Sequence, residues 1–443
     1  MTPKVFSIME TLEAAGYAAY IAGGAVRDHI LGIEHNDCDI ATSASPEVVQ
    51  ELFPEGKLVS SRAGVPLTML GDIEVATFRR EEGKRSQVRT EITTCIREDA
   101  MRRDLTVNAL YMNRAGFIVD PTGMGLSDLE EGVLRFVGDP TERIREDPTR
   151  MFRICRFVGK LPGFKIARDS SRAICEYMQA VFEGRELMCA EEQIARELMK
   201  ILSLPAAHIT EAFDALLWTD ILEVVLPELS DMYALPQNEH HLEGDVWTHT
   251  MMVLENLSPG ADEETRMAAL LHDIGKGDTQ EPKEGKPGQY TFINHEKVGA
   301  TMAEDLLNRL KFPKKFTEDV CWMISQHMRV REVMDMKKSK QAALYRDVRF
   351  PKLLQLLAAD NLGKIPQDTE GHIKIKSAWT NFLDNDVTIH QRGICGKLLM
   401  DYFHLSPGPE VGQMKERANV ILLENPEITN IQLLKQLKEE RKV

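Results

Sequence analysis

No stretch of the 443-residue chain stays apolar for the roughly 18 residues that a membrane span requires. That sets a membrane-spanning protein aside. The first residues, Met-Thr-Pro-Lys-Val-Phe-Ser, lack the pattern of a secretory signal. Seven cysteines stand singly, with no C-x-x-C pair, so neither a zinc ribbon nor a disulfide scaffold is expected, and a reducing, cytoplasmic setting is. Positive charge is also in deficit: 54 Lys and Arg against 69 Asp and Glu leave −15 at pH 7. A nucleic-acid partner would then need a local basic face rather than a basic chain. Basic residues do cluster, at Arg79-Arg80, Lys84-Arg85, Arg102-Arg103 and from Arg143 to Arg168. What remains is an ordinary composition, 43% hydrophobic and 28% charged, in a chain long enough for about two to four domains.

The stretch richest in chemistry is Ala22 to Ala41. It holds Gly23-Gly24, then Arg27-Asp28, then Asp37 and Asp39 around Cys38. On a strand, residues two apart share a face, so the two carboxylates converge. Converging carboxylates suit Mg²⁺, which serves phosphoryl transfer by holding attacking and leaving oxygens together. Gly23-Gly24 would let backbone amides approach a triphosphate, with Val26 to Leu31 as a helix behind it and Arg27 as an added cation. Alone, the D-x-D triplet reads rather as a surface turn with an acidic loop; Gly-Gly and Arg-Asp just upstream turn the reading toward nucleotidyl transfer.

In chain order, Val5 to Ala15 has helical spacing and Tyr17 to Ala22 reads as a strand entering the Gly-Gly turn. Ser45 to Leu52 is a capped helix, and Gly71-Asp72 joins two strands in a hairpin. Glu74 on that hairpin could be a third carboxylate near the metals, but reads rather as an exposed strand residue. Arg79 to Arg97 is charged and without period, so a loop is expected. In R-R-D-L-T-V-N-A-L, Arg103 suits a phosphate as a bidentate donor, and Asp104 and Asn108 suit ribose or backbone contacts. The same residues could instead satisfy one another.

Glu146-Asp147-Pro148-Thr149-Arg150 starts a helix, on which Arg150, Arg153 and Arg156 recur every three residues among apolar ones. A carboxylate only accepts and a guanidinium only donates. Asp147 with Arg150 therefore complements the Watson–Crick edge of cytosine or adenine, each with an amino donor beside a ring acceptor. Uracil and guanine would leave buried groups unpaired, at about 1–3 kcal/mol each. The pair alone reads rather as an ordinary i, i+3 helix salt bridge.

Taken in order, these segments resemble the motifs of class II tRNA nucleotidyltransferases, the CCA-adding enzymes. The resemblance rests on G-G-A-V-R-D with D-C-D, R-R-D-L-T-V-N-A-L, D-P-T-G…D-L and E-D-P-T-R-M-F-R-I-C-R-F. Bacterial poly(A) polymerases share nearly all of them. The resemblance implies an α+β protein: a polymerase-beta-like mixed α/β head over 1–145, then an all-helical neck and body over 146–235. It places Mg²⁺ on Asp37 and Asp39, and Gly23, Gly24, Arg27, Asp28, Arg103, Asp104 and Asn108 around the nucleotide's triphosphate and sugar. Asp147 and Arg150 would meet the base, with Arg153 and Arg156 beside them. CTP, ATP and tRNA are the implied partners, and no protein partner is evident. In this family residues 81–97 would govern the change from C to A. A-only, CC-only and poly(A) addition stay open, as does an HD hydrolase whose head only binds RNA.

From Pro236 onward a second pattern begins: His249, His272-Asp273, His295, His327 and Asp360, each within an apolar helical context. Such nitrogen and oxygen ligands suit Mn²⁺, Fe²⁺, Ni²⁺, Co²⁺ or Zn²⁺. The order H…HD…H…H…D resembles the HD phosphohydrolase superfamily, over 236–383, and implies a metal site that cleaves phosphoesters such as those at damaged RNA ends. Residues 384–443 read as a helical tail for tRNA support or packing.

Overall fold

The computed structural model describes residues 2–34, 38–60, 65–82, 89–237, 242–286, 289–392, 395–425 and 428–441. It divides into two units, Met1–Ser230 and Asp231–Val443.

Among the described residues nine strands lie ahead of Asp120: β1 Ala19–Ala22, β2 Asp39–Thr42, β3 Lys57–Val59, β4 Leu67–Leu70, β5 Ile73–Thr77, β6 Arg79–Glu82, β7 Arg89–Ile92, β8 Tyr111–Met112 and β9 Ile118–Val119. Seven form one sheet, ordered β3-β4-β5-β2-β1-β8-β9. Its centre is the aspartate strand β2. This strand runs antiparallel to β1, with Ala22 opposite Asp39, and parallel to β5, with Asp39 opposite Glu74. A parallel neighbour needs a crossover, which helix Pro46–Leu52 with β3 and β4 provides. Helix Pro3–Ala14 packs on β1 and β2 through Val5, Ile8, Met9 and Leu12, the positions its 3.6-residue spacing marks.

Two stretches differ from expectation. Arg79 to Arg97 is not an unpaired loop: β6 and β7 form an antiparallel hairpin, and helix Ile96–Met101 follows. Arg80 faces Glu91 across the ladder at 2.8 Å, so paired charges stand where apolar alternation would have marked a strand. Residues 83–88 of that segment lie outside the described residues. Upstream of Asp147 there is a further helix, Pro140–Glu146, opened by Asp139, whose carboxylate accepts from Glu142 N.

Helix Thr149–Lys160 packs against Glu191–Leu202 and Ile209–Trp218 and buries Met151, Phe152, Ile154 and Cys155. Truncating a side chain buried like Phe152 costs about 3–5 kcal/mol. Its arginine face is therefore held by its apolar one.

The second unit is helical apart from a hairpin of Gln280–Pro282 and Tyr290–Phe292. Asp245 and Asp262 cap helices Val246–Glu255 and Glu263–Leu271 by accepting from Thr248 N at 2.8 Å and Thr265 N at 3.0 Å. Helices His295–Arg309, Lys314–Gln326 and Phe350–Leu362 follow. Gly275 lets the turn after Asp273 lie on the start of the His295 helix, since a Cβ there would strike His295 O and Gly299 N. The expected division at 384 falls inside helix Gly371–Arg392: Asp384, Asn385 and Asp386 are weak helix formers, but stronger neighbours carry the helix through. Helices Gly396–Phe403, Pro409–Glu424 and Asn430–Glu440 close their own small core around Leu399, Ile421 and Leu433. Among the described residues no helix is long and apolar enough to cross a membrane, and none of the seven cysteines forms a disulfide.

Candidate active sites

The Gly23 turn, β2, β5 and the Thr149 helix surround a cleft of about 440 Å³. Gly23 has φ +74°, and a Cβ there would come within 2.8 Å of Arg103 Nη1. Only glycine allows both that backbone and that approach. Asp39 opens onto the cleft from the start of β2; Asp37 lies outside the described residues.

Beside Asp39 stands Glu74, its partner in parallel register and also a cleft residue. Burial, and then the nearby Asp39 charge, push the Glu74 carboxyl above its ordinary range. Two carboxylates that repel one another in a cleft are suited to share a divalent cation. The sequence reading set Glu74 aside because strand alternation alone does not reveal which strand lies next to β2.

Several cations around the cleft are held by long-range bonds. Arg27 is 1% exposed. Its Nε donates to Asp28 Oδ1 at 2.7 Å and its Nη1 to Asn108 Oδ1, and its guanidinium lies over the Phe157 ring. Asn108 Nδ2 donates to Asp104 Oδ1 at 3.1 Å, and Asp104 Oδ2 pairs with Arg153 Nη2 at 2.5 Å. Burial disfavours the Asp104 charge, but Arg153 and the Asn108 hydrogen bond outweigh it and bring the pKa to about 2. These residues form one polar chain from the Gly24 helix to the Thr149 helix. Gly24, Arg27, Arg103, Asp104, Asn108 and Arg153 line the cleft, whereas Asp28 is occupied behind it with Arg27.

Asp147 lies between two helices rather than inside one: it caps the first, and its Oδ1 accepts from Thr149 N at 3.0 Å and Thr149 Oγ1 at 2.6 Å. Arg150 pairs with Glu146 Oε2 at 2.7 Å and donates to the carbonyl of Arg143 at 2.8 Å. Both line the cleft. Arg156 turns to Glu197 at 2.9 Å and is not among the lining residues. Glu74, which the sequence reading weighed and set aside, and Arg79, Arg102 and Lys160, which it did not place in the site, are also in the wall.

In the second unit all six expected ligands come together, fully buried. They fall into two triads, His249–His272–Asp360 and Asp273–His295–His327, with donor atoms inside each within 4.8 Å of one another. Asp273 serves both: Oδ2 is 3.2 Å from His272 Nε2, and Oδ1 is 3.3 Å from His295 Nε2. Behind the rings, His272 Nδ1 donates to Ala269 O at 2.9 Å, His295 Nδ1 to Phe292 O at 2.8 Å and His327 Nδ1 to Ile324 O at 2.7 Å. A carbonyl can only accept, so each Nδ1 carries the proton and, in the neutral ring, Nε2 is bare. His295 and His327 thus present Nε2 to each other at 3.2 Å, an arrangement a metal cation between them would relieve. Glu243, which the sequence reading did not single out, lies 3.0 Å from His249 Nδ1. Burial works against the His249 imidazolium, but Asp360 and Glu243 outweigh it and push its pKa up to about 9. Lys276, Lys283, Arg331 and Lys364 line the cavity above these ligands.

Residues 19–135 match the poly A polymerase head domain family and residues 245–364 the HD domain family; both imply dependence on divalent metal. The multifunctional CCA protein of Acinetobacter baylyi is 33% identical over 332 residues, which span 72% of this chain and 76% of that protein. An A-adding tRNA nucleotidyltransferase of Deinococcus radiodurans is 31% identical over 406 residues, 89% of each chain. The structure of a Bacillus stearothermophilus CCA-adding enzyme in complex with CTP superposes with a TM-score of 0.70 at 25% identity, covering 100% of this chain and 98% of that one. With a head and an HD domain matched in sequence and relatives of this identity over most of its length, the chain belongs to the tRNA nucleotidyltransferase family of CCA-adding enzymes.

Proposed function

We propose that the chain builds or repairs the 3′-terminal CCA of tRNA from CTP and ATP without a nucleic-acid template. The observation that supports this best is one cleft holding carboxylates at Asp39 and Glu74 and a donor–acceptor pair at Arg150 and Asp147. Bound Mg²⁺, held by Asp39, Asp37 and Glu74, supplies Lewis-acid stabilisation of the attacking and leaving oxygens. Gly23, Gly24, Arg103 and Arg153 receive the triphosphate, and Arg27, Asn108 and Asp104 hold that wall in place. Asp28 and Arg156 support it from behind. Asp147 and Arg150 select an amino-bearing edge, cytosine or adenine, over uracil and guanine. The RNA 3′ oxygen bonds to the α-phosphorus as the bond to pyrophosphate breaks. The head (1–145) and neck (146–235) do this work; the HD part (236–383) and the tail (384–443) follow. A cytoplasmic location suits cysteines that form no disulfide.

The test is a tRNA ending before CCA, given CTP, ATP or both, with products sized to one nucleotide. Addition of C, C and A followed by a stop supports the reading, and long A tails overturn it. The Deinococcus radiodurans relative favours a second reading, A-only addition, which predicts extension only of tRNA already ending in CC.

For the HD centre we propose metal-dependent hydrolysis of phosphoesters at RNA ends or on nucleotides. His249, His272, Asp360, Asp273, His295 and His327 would hold a transition metal such as Ni²⁺, Mn²⁺, Fe²⁺, Co²⁺ or Zn²⁺, with Lys276 and Arg331 facing the phosphate.

A further inference from the structure

Within the cleft, Arg103 is fixed more elaborately than its neighbours, and the anchor is a residue with no assigned role. Asp99, 1% exposed, sits on the Ile96–Met101 helix. Its Oδ2 accepts from Tyr111 Oη at 2.6 Å and Arg103 Nη2 at 3.3 Å, and its Oδ1 from Arg102 Nε at 2.8 Å and the backbone N of Arg79 at 3.1 Å. Tyr111 closes the triangle: its hydroxyl donates to Asp99 while accepting from Arg103 Nε at 2.9 Å, and its ring lies under the Arg103 guanidinium, 4.9 Å from the centroid.

Burial works against the Asp99 charge, but Arg103 and Arg102 outweigh it and hold the carboxyl below its ordinary range. It is therefore an anion at neutral pH with its lone pairs committed. Arg103 also donates from Nη1 to Asn108 O at 3.3 Å. These three bonds take one N–H from each guanidinium nitrogen. Among the described residues they leave one N–H on Nη1 and one on Nη2, beside Gly23. That is the fork a phosphate oxygen pair accepts. An arginine left free would lose rotamer entropy on every binding event, a cost that prior fixing removes.

We infer that Asp99 and Tyr111 are a positioning pair that presets the Arg103 guanidinium for the incoming nucleotide's phosphates. The inference rests on the nucleotidyl-transfer reading of the cleft. The Asp99 oxygen that holds Arg102 also holds Arg79 at the root of the β6–β7 hairpin, so one carboxylate ties that root to both arginines.

The test is a double-mutant cycle on the full chain, measuring kcat and KM for CTP and ATP. Tyr111→Phe keeps the ring beneath Arg103 and removes only the bridging hydroxyl. It should raise KM on the order of tenfold, the scale of one charge-assisted hydrogen bond, with a smaller change in kcat and an unchanged melting temperature. Asp99→Asn should act in the same direction and more strongly. In an Arg103→Ala background, Tyr111→Phe should add nothing to KM. A KM effect of equal size in both backgrounds would overturn the inference while leaving the reading of the cleft intact. An Arg103→Ala variant with unchanged KM would remove the reading of Arg103 and the inference together. If Asp99→Asn does not fold, the Tyr111→Phe cycle decides alone.

Discussion

The two centres are built by opposite means. In the HD centre three of the four histidines are oriented by the carbonyl three residues earlier in their own chain segment: Ala269, Phe292 and Ile324. In the cleft, beside local pairs such as Arg150 with Glu146, bonds join distant segments: Arg27 to Asn108 spans 81 residues, and Arg150 to the Arg102 carbonyl spans 48. A locally anchored ligand carries its geometry with its own helix end. A residue anchored at long range has a role only once the fold has assembled it. The HD centre should therefore lose function one ligand at a time, whereas the cleft should show coupled effects.

The largest effect outside the Asp37–Asp39 pair is expected at Glu74. Glu74→Gln keeps the shape and removes a carboxylate beside Asp39; nucleotide addition should fall roughly 100-fold, with more Mg²⁺ needed for half-maximal rate. Titration of rate against Mg²⁺ checks this, and an unchanged curve would make Glu74 a bystander. Next is Glu243, which stands behind His249, the one histidine of the centre whose Nδ1 meets a distant carbonyl, Gly363 O, rather than one three residues earlier. Glu243→Gln should weaken metal binding by about 10–100-fold, read by calorimetry with Mn²⁺ or Ni²⁺; full affinity would mean that the Gly363 carbonyl, 3.1 Å from Nδ1, suffices.

Asp147→Ala should relax selection against UTP and GTP by about 1–3 kcal/mol, measured as the ratio of kcat/KM for CTP and UTP. Unchanged selectivity would assign Asp147 to its cap on Thr149 alone. The smallest effect concerns stability. Asp104 is held at about 2 against an ordinary value near 3.9. A depressed carboxyl stabilises the fold above its unfolded pKa and loses that contribution as pH falls through the folded one. Asp104 should therefore contribute roughly 2–3 kcal/mol at neutral pH, lost between about pH 4 and 2. Acid unfolding of Asp104→Asn should be flatter over that window, and an identical acid limb would contradict the assignment.

How much was legible follows from the same contrast. His249, His272, Asp273, His295, His327 and Asp360 were legible as a set and not singly: one buried histidine reads as core, but four with two aspartates on successive apolar helices do not, and they do converge. Asp39 was legible because strand alternation is local. Glu74 was not, because its value comes from β5 lying parallel to β2, and nothing in either segment states that pairing. Asp99 was hidden inside a charged run that reads as solvated until Tyr111 and the two arginines close around it. Arg156 was read by its spacing from Arg150 and Arg153, but a three-residue step on a helix drifts around the axis, and it reaches Glu197 instead.

The central claim is that one chain carries two separately built catalytic centres. It is tested most directly by assaying the wild type, Asp39→Ala and Asp273→Ala in both reactions: CCA addition to a truncated tRNA, and metal-dependent hydrolysis of a phosphoester. Asp39→Ala should lose addition and keep hydrolysis, and Asp273→Ala should lose hydrolysis and keep addition. Loss of both reactions in either folded variant, or of neither, would contradict it.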